Sequence, residues 1–144
     1  MAREKLGIAI RMKKKKSIAK LVDELAVLKQ KLVRLKAADE HGYCECVTCK
    51  TRKHWTEMQG GHFIGRKWTA TKLMTENIHP QCPCCNGPLR GNMIQYTLYM
   101  QDTYGREFVE ELETLKHQTK KYTRAEVEEI KQDLMGKIKE LEDG

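Results

Sequence analysis

The chain has 144 residues, of which 33% are charged and only 6% aromatic, so a large aliphatic or aromatic core is excluded and a staple is expected. Lysine and arginine number 27 against 20 aspartates and glutamates, a net charge of +7 that favours a polyanionic partner. No apolar run approaches the roughly 18–20 residues of a membrane span. The basic start, Met1 to Lys16, leads into no apolar signal core. These features predict no membrane partner and a cytoplasmic location, where six cysteines are thiolates for metal before they are disulfides.

Residues 1–16 carry a net charge of +6 and end in the block Lys13, Lys14, Lys15, Lys16. Such a block is either a DNA-binding arm or a solubilising tail. Residues 17–40 form a second segment. Ser17 suits a helix N-cap, and Ile18, Leu25 and Leu32 recur at seven-residue intervals, as do Leu21, Leu28 and Leu35. The spacing predicts a helix from about Ser17 to Ala38 with an a/d seam. Its apolar stripe must be covered, either by this chain's own later helices or by a second copy in a homodimer.

Helical periodicity vanishes over residues 39–90, and Cys, His, Gly, Thr and Pro concentrate there. A helix is expected from Leu89 to Asp102, then a cap at Gly105, closing a core segment of residues 41–105. Residues 106–144 have a net charge of −3, so they offer little to a phosphate backbone. They predict a helix from about Glu107 to His117 and a last one opened by the capping box Thr123-Arg124-Ala125-Glu126. Val127, Ile130, Leu134, Ile138 and Leu141 form its apolar face.

Cys46-Val-Thr-Cys49 and Cys82-Pro-Cys84-Cys85 give two Cys-x-x-Cys turns, separated by 32 residues. Each turn aims backbone amides at its sulfurs, and two turns complete a tetrahedral zinc site. Four thiolates leave no open coordination position, so the zinc is structural. Cys44 and Cys84 stay outside this set, although a Cys-x-Cys pairing with either is an alternative.

Between the two cysteine turns lies Gly60-Gly61-His62-Phe63-Ile64-Gly65-Arg66, then Asn77-Ile78-His79-Pro80-Gln81-Cys82, then Cys85-Asn86. This order resembles the His-Asn-His (HNH) nuclease motif. With Gly91-Asn92, Tyr96 and Tyr104-Gly105 it resembles more specifically the NinG (Rap) recombination proteins of lambdoid phages, over roughly residues 43–115. The resemblance implies a mainly α protein with a small zinc-stapled β-ribbon, a ββα-metal (HNH) core flanked by long helices. It implies a structure-selective endonuclease of phage recombination, acting in the host cytoplasm on Holliday junctions and D-loops, with a divalent-metal mechanism. In that scheme Asn77 braces the loop and Asn86 binds the divalent ion.

The chemistry of the residues is compatible with that. An imidazole can take a proton from water near neutral pH, and His62 is assigned as general base; the alternatives are a zinc ligand or a structural histidine. Many HNH sites carry Asp or His just before the base, where this chain has Gly61. His79 is the candidate replacement ligand, with Gln59 behind it, the alternative being that His79 only hydrogen-bonds phosphate or packs on the zinc knuckle; Mg2+ or Mn2+ is the expected ion. Arg66, Lys67, Lys72 and Arg90 are candidate phosphate clamps, with Arg90 and Asn86 expected on one helix face. Trp55 and Trp68 either stack on unpaired bases or cover the core. A four-way junction needs two symmetric cuts, which predicts a homodimer. The rival reading is a zinc-ribbon DNA-binding or adaptor protein without chemistry.

Overall fold

The computed structural model describes residues 15–144; Lys13 and Lys14 of the basic block lie outside the described residues. Helix α1, Ile18–Ala37, begins where the sequence places it, with Ser17 Oγ accepting the Lys20 N–H at 3.2 Å. Its packing partner comes from the far end of the chain. The last helix, α6, spans Arg124–Asp143 and opens on a complete capping box between Thr123 and Glu126. Val22, Leu25, Ala26 and Leu32 of α1 bury against Val127, Leu134 and Ile138 of α6, with Leu73 closing the cluster. The two helices run in parallel. Leu21 and Val127 share one groove near their starts, and Lys31 Nζ meets Glu142 Oε1 at 3.1 Å near their ends. The seven-residue stripe is thus covered within the chain. Three heptads specify an apolar face but not whose helix fills it.

The middle of the chain holds two small antiparallel ribbons. Strands β1, Tyr43–Glu45, and β2, Arg52–His54, pair with Cys44 opposite Lys53. Strands β3, Gln59–His62, and β4, Ile78–Gln81, pair with Gly61 opposite His79 and His62 opposite Ile78. The connection between β3 and β4 carries the short helix α2, Thr69–Lys72, and a 3-10 turn at Thr75–Asn77. A one-turn helix α3, Pro83–Asn86, follows β4, and Cys82 Sγ caps it by accepting the Cys85 N–H.

The helix expected from Leu89 starts only at Met93. Arg90, Gly91 and Asn92 all have positive φ, 51°, 94° and 47°, which no right-handed helix contains. This left-handed turn separates α3 from α4, Met93–Tyr104. Gly105, at φ 92°, then ends α4 and admits α5, Arg106–Leu115. Phe63, Ile64, Tyr96, Met100, Val109 and Leu112 form a second apolar cluster between these helices and the β3–β4 connection.

Helix α1 also lies across the β3–β4 ribbon. The approach is so close that a Cβ on Gly60 would come within 2.7 Å of the Gln30 Cα and nearer still to its Cβ. Both tryptophans cover apolar clusters: Trp55 packs on the cysteines and Trp68 on the second cluster.

Candidate functional site

The four sulfurs of Cys46, Cys49, Cys82 and Cys85 lie within 4.8 Å of one another. Tetrahedral zinc with bonds of about 2.3 Å sets its sulfurs about 3.8 Å apart, so the cluster has the size of a zinc site. Burial opposes ionisation of Cys46, but hydrogen bonds from the Thr48 side chain and from surrounding backbone amides outweigh it and bring the thiol down to about 6. Burial pushes Cys82 up to about 12, with the neighbouring sulfurs opposing its charge as well. Four thiolates at this spacing coexist only around a cation, and the donor set fits zinc. Cys44 is buried in β1 and Cys84 is exposed on α3; neither joins the cluster. With zinc bound by the cluster, α3 and the start of the left-handed turn are held to the β1–β2 knuckle.

Beside this knuckle is a cavity of about 540 Å³. His62 and Gln59 from β3, Asn86 from α3, Arg66 from the β3–β4 connection and Arg90 from the left-handed turn all line it. Residues far apart in sequence therefore meet in one place. Asn86 and Arg90 do so from a helix end and a turn, not from one helix face, because α3 stops at Asn86. His62 Nε2 donates to the Lys72 carbonyl at 2.9 Å. That bond fixes the tautomer and leaves Nδ1 as the basic nitrogen. Burial lowers the imidazole's pKa, partly offset by the carbonyl, and the Arg66 and Lys72 charges lower it further. His62 is therefore neutral at physiological pH. It is no zinc ligand.

Asn77 is fully buried and does not reach the cavity. Its Oδ1 accepts the Ile64 N–H at 2.7 Å, and its Nδ2 donates to the carbonyls of Ile64 and Thr71 at 2.9 and 3.1 Å. These bonds staple the connection that presents the Lys72 carbonyl to His62.

The structure does not bring His79 to the cavity. It sits one register step from His62, so the two side chains leave opposite faces of the ribbon. Tyr96 Oη donates to the Gly61 carbonyl at 2.6 Å and so accepts from His79 Nδ1 at 3.0 Å, while Tyr104 Oη donates to His79 Nε2 at 2.7 Å. Both ring nitrogens are used, and no lone pair is left for a metal. Burial pulls this histidine down to about 4.

Lys72 is also not a phosphate clamp: it is buried and its ammonium is paired with Asp23 of α1. Lys67 is exposed outside the cavity, its ammonium 4.9 Å from the Trp68 ring centre. Lys16 is paired with Glu24, and Lys15 borders the groove between α1 and α6.

Two cavity residues come from an element that the motif does not include. Gln30 and Arg34 of α1 form one wall. Arg34 donates from Nε to the Gln30 carbonyl and from Nη1 to the carbonyls of Trp55 and Met58, at 3.1, 3.2 and 3.0 Å. Its sequence context, inside an amphipathic helix, gives no sign of this role.

The donor set does not fit a resident Mg2+ or Mn2+. No carboxylate lines the cavity among the described residues, His79 is elsewhere, and three guanidinium groups are present. Nor can position 61 supply a ligand, because a Cβ there would collide with Gln81 Oε1. That buried oxygen has no hydrogen-bond partner among the described residues.

Together these features define a protein with a four-cysteine cluster that could hold zinc, beside a basic, histidine-containing cavity. A family model described as Bacteriophage Lambda NinG protein matches residues 2–143, and the chain belongs to that family. It is 30% identical over 100 residues to Protein ninG of Escherichia phage lambda, covering 67% of this chain and 47% of that protein. Protein ninG of Salmonella phage P22 is 29% identical over 102 residues, covering 68% and 48%. The chain thus spans about half the length of the curated relatives it matches. No solved structure matches. No helix among the described residues is long and apolar enough to cross a membrane.

Proposed function

We propose that this NinG-family protein is an HNH-type endonuclease of phage recombination that hydrolyses phosphodiesters in branched DNA. One observation carries the reading: His62, tied through Nε2 to a backbone carbonyl, shares a cavity with Asn86, Arg66 and Arg90. A DNA-binding module has no need of a neutral imidazole with its tautomer set inside a cluster of guanidinium groups.

In this reading a scissile phosphate sits against Arg66 and Arg90, whose N–H forks match its oxygens. His62 Nδ1 takes a proton from water as the water oxygen attacks phosphorus. The bond to the 3′ oxygen breaks, and that oxygen takes a proton from solvent, leaving a 5′-phosphate and a 3′-hydroxyl. The arginines stabilise the charge that grows on the nonbridging oxygens. Zinc, held by Cys46, Cys49, Cys82 and Cys85, fixes the helix end that carries Asn86 and supplies no chemistry. Paired cuts across a four-way junction require two sites, so the reading includes a homodimer.

The test is cleavage of a synthetic four-way junction and of a linear duplex, with and without Mg2+. His62→Ala is expected to lose about 10²–10⁴-fold in rate with junction affinity unchanged. The wild-type rate should rise with pH and level off, with its midpoint below the ordinary histidine value because burial favours neutral His62. Undiminished cutting by the variant removes His62 as the base. Junction binding without cutting under any condition instead favours the adaptor reading, which the lack of a cavity carboxylate among the described residues supports.

A further inference from the structure

The cavity that the motif predicts to hold a cation is built for an anion. Arg34, Arg66 and Arg90 line it together with the neutral side chains of His62, Gln59 and Asn86. Asn86 Nδ2 donates to Gln59 Oε1 at 2.8 Å, so that of these two carboxamide oxygens Asn86 Oδ1 is the one outside their mutual bond. A hydrated divalent ion entering alone would meet one carboxamide oxygen, the lone pair of His62 Nδ1 and three positive charges. Mg2+ in protein sites is held through carboxylates and substrate phosphates, and only the second kind of ligand can be supplied here.

Arg34 makes the case for an anion stronger. Three backbone carbonyls fix its Nε and Nη1, so the plane of the guanidinium is set before any ligand arrives. Its Nη2 takes no part in those bonds and has no hydrogen-bond partner among the described residues. A guanidinium held this way loses little conformational freedom on binding a phosphate oxygen. It enters from α1, whereas Arg66 and Arg90 enter from the β3–β4 connection and the left-handed turn, so three guanidinium groups reach one cavity from three separate elements.

We infer that the free protein binds a phosphate group in this cavity through Arg34, Arg66 and Arg90, and that a divalent cation enters only with that phosphate as a ligand. The inference deepens the nuclease reading by assigning the order of binding, and it rests on that reading only for the identity of the natural anion.

The experiment uses the full, zinc-loaded chain in buffer stripped of other divalent ions. Inorganic phosphate is titrated by 31P NMR, and Mn2+ uptake is followed by the loss of the free-ion EPR signal. Saturable phosphate binding without Mn2+ is expected, weakened about tenfold in Arg66→Gln and in Arg90→Gln, the loss of one charge-assisted contact. Both arginines are exposed, so these variants should retain zinc, which is measured alongside. Mn2+ with protein alone should leave the EPR signal as in buffer, whereas Mn2+ with protein and phosphate should lower it beyond the phosphate-only control. Uptake of Mn2+ without phosphate, abolished by Asn86→Ala, overturns the inference. So does phosphate binding that both arginine variants retain, which would place the anion on the lysine block. Failure to cut DNA with this binding pattern intact would instead sink the nuclease reading and leave the anion site standing.

Discussion

His62 and His79 face each other's neighbours across one ribbon and have opposite fates. His62 lines the cavity and commits one ring nitrogen to a carbonyl, whereas His79 spends both on Tyr96 and Tyr104. The buried neutral state of His79 makes it an acid-sensitive part of the fold. Its pKa in the folded chain, about 4, is below the unfolded value near 6.5. The stability it contributes is therefore full above about pH 6.5 and is lost progressively as pH falls from there through about 4, an effect of about 3 kcal/mol at most. Urea unfolding at about pH 7 and about pH 4.5, on either side of most of that window, should show a larger loss for the wild type than for His79→Gln. Equal losses would put the acid sensitivity elsewhere. The sequence places His79 next to the motif, but its partners lie 17 and 25 residues further on. Only the docking of α4 against β4 assigns them.

At the scale of elements, the two glycines before His62 matter for what they admit. Gly60 lets α1 press on β3, and Gly61 leaves room for the Gln81 side chain. The packing shows that the space a Cβ would take at both glycines is filled from within the chain. Gly60→Ala should cost about 1–3 kcal/mol by overpacking against the Gln30 backbone. Gly65→Ala, with nothing within 4 Å of its would-be Cβ, should cost far less in the same thermal or urea unfolding measurement. Similar costs for the two would contradict the close α1–β3 contact. The same packing turns α1 from a plain amphipathic helix into a wall of the cavity, carrying Gln30 and Arg34.

Over the whole molecule, three small apolar clusters among the described residues replace one large core, and the third is built around cysteines. Metal is therefore expected to hold the middle of the chain together, while the α1–α6 seam is stabilised by leucine and valine burial. Purified protein should contain about one zinc per chain. Cys85→Ser should lose it and expose the β-ribbons to hydrogen exchange, whereas Cys84→Ser, outside the cluster, should retain it. Zinc retention by Cys85→Ser would break the four-cysteine assignment.

The sequence by itself determined what depends on local spacing. The two Cys-x-x-Cys turns, the Ser17 cap, the Thr123–Glu126 box and the ordered His62, Asn77 and Asn86 segments all follow from residues a few positions apart, or from the order of short motifs. Tertiary structure decided what depends on crossing elements. It filled the α1 seam with α6, sent His79 to two tyrosines, paired Lys72 with Asp23, and brought Arg34 to the cavity. Periodicity fixes which face of an element is apolar or polar, but the partner of that face is chosen by long-range packing, which no short window contains.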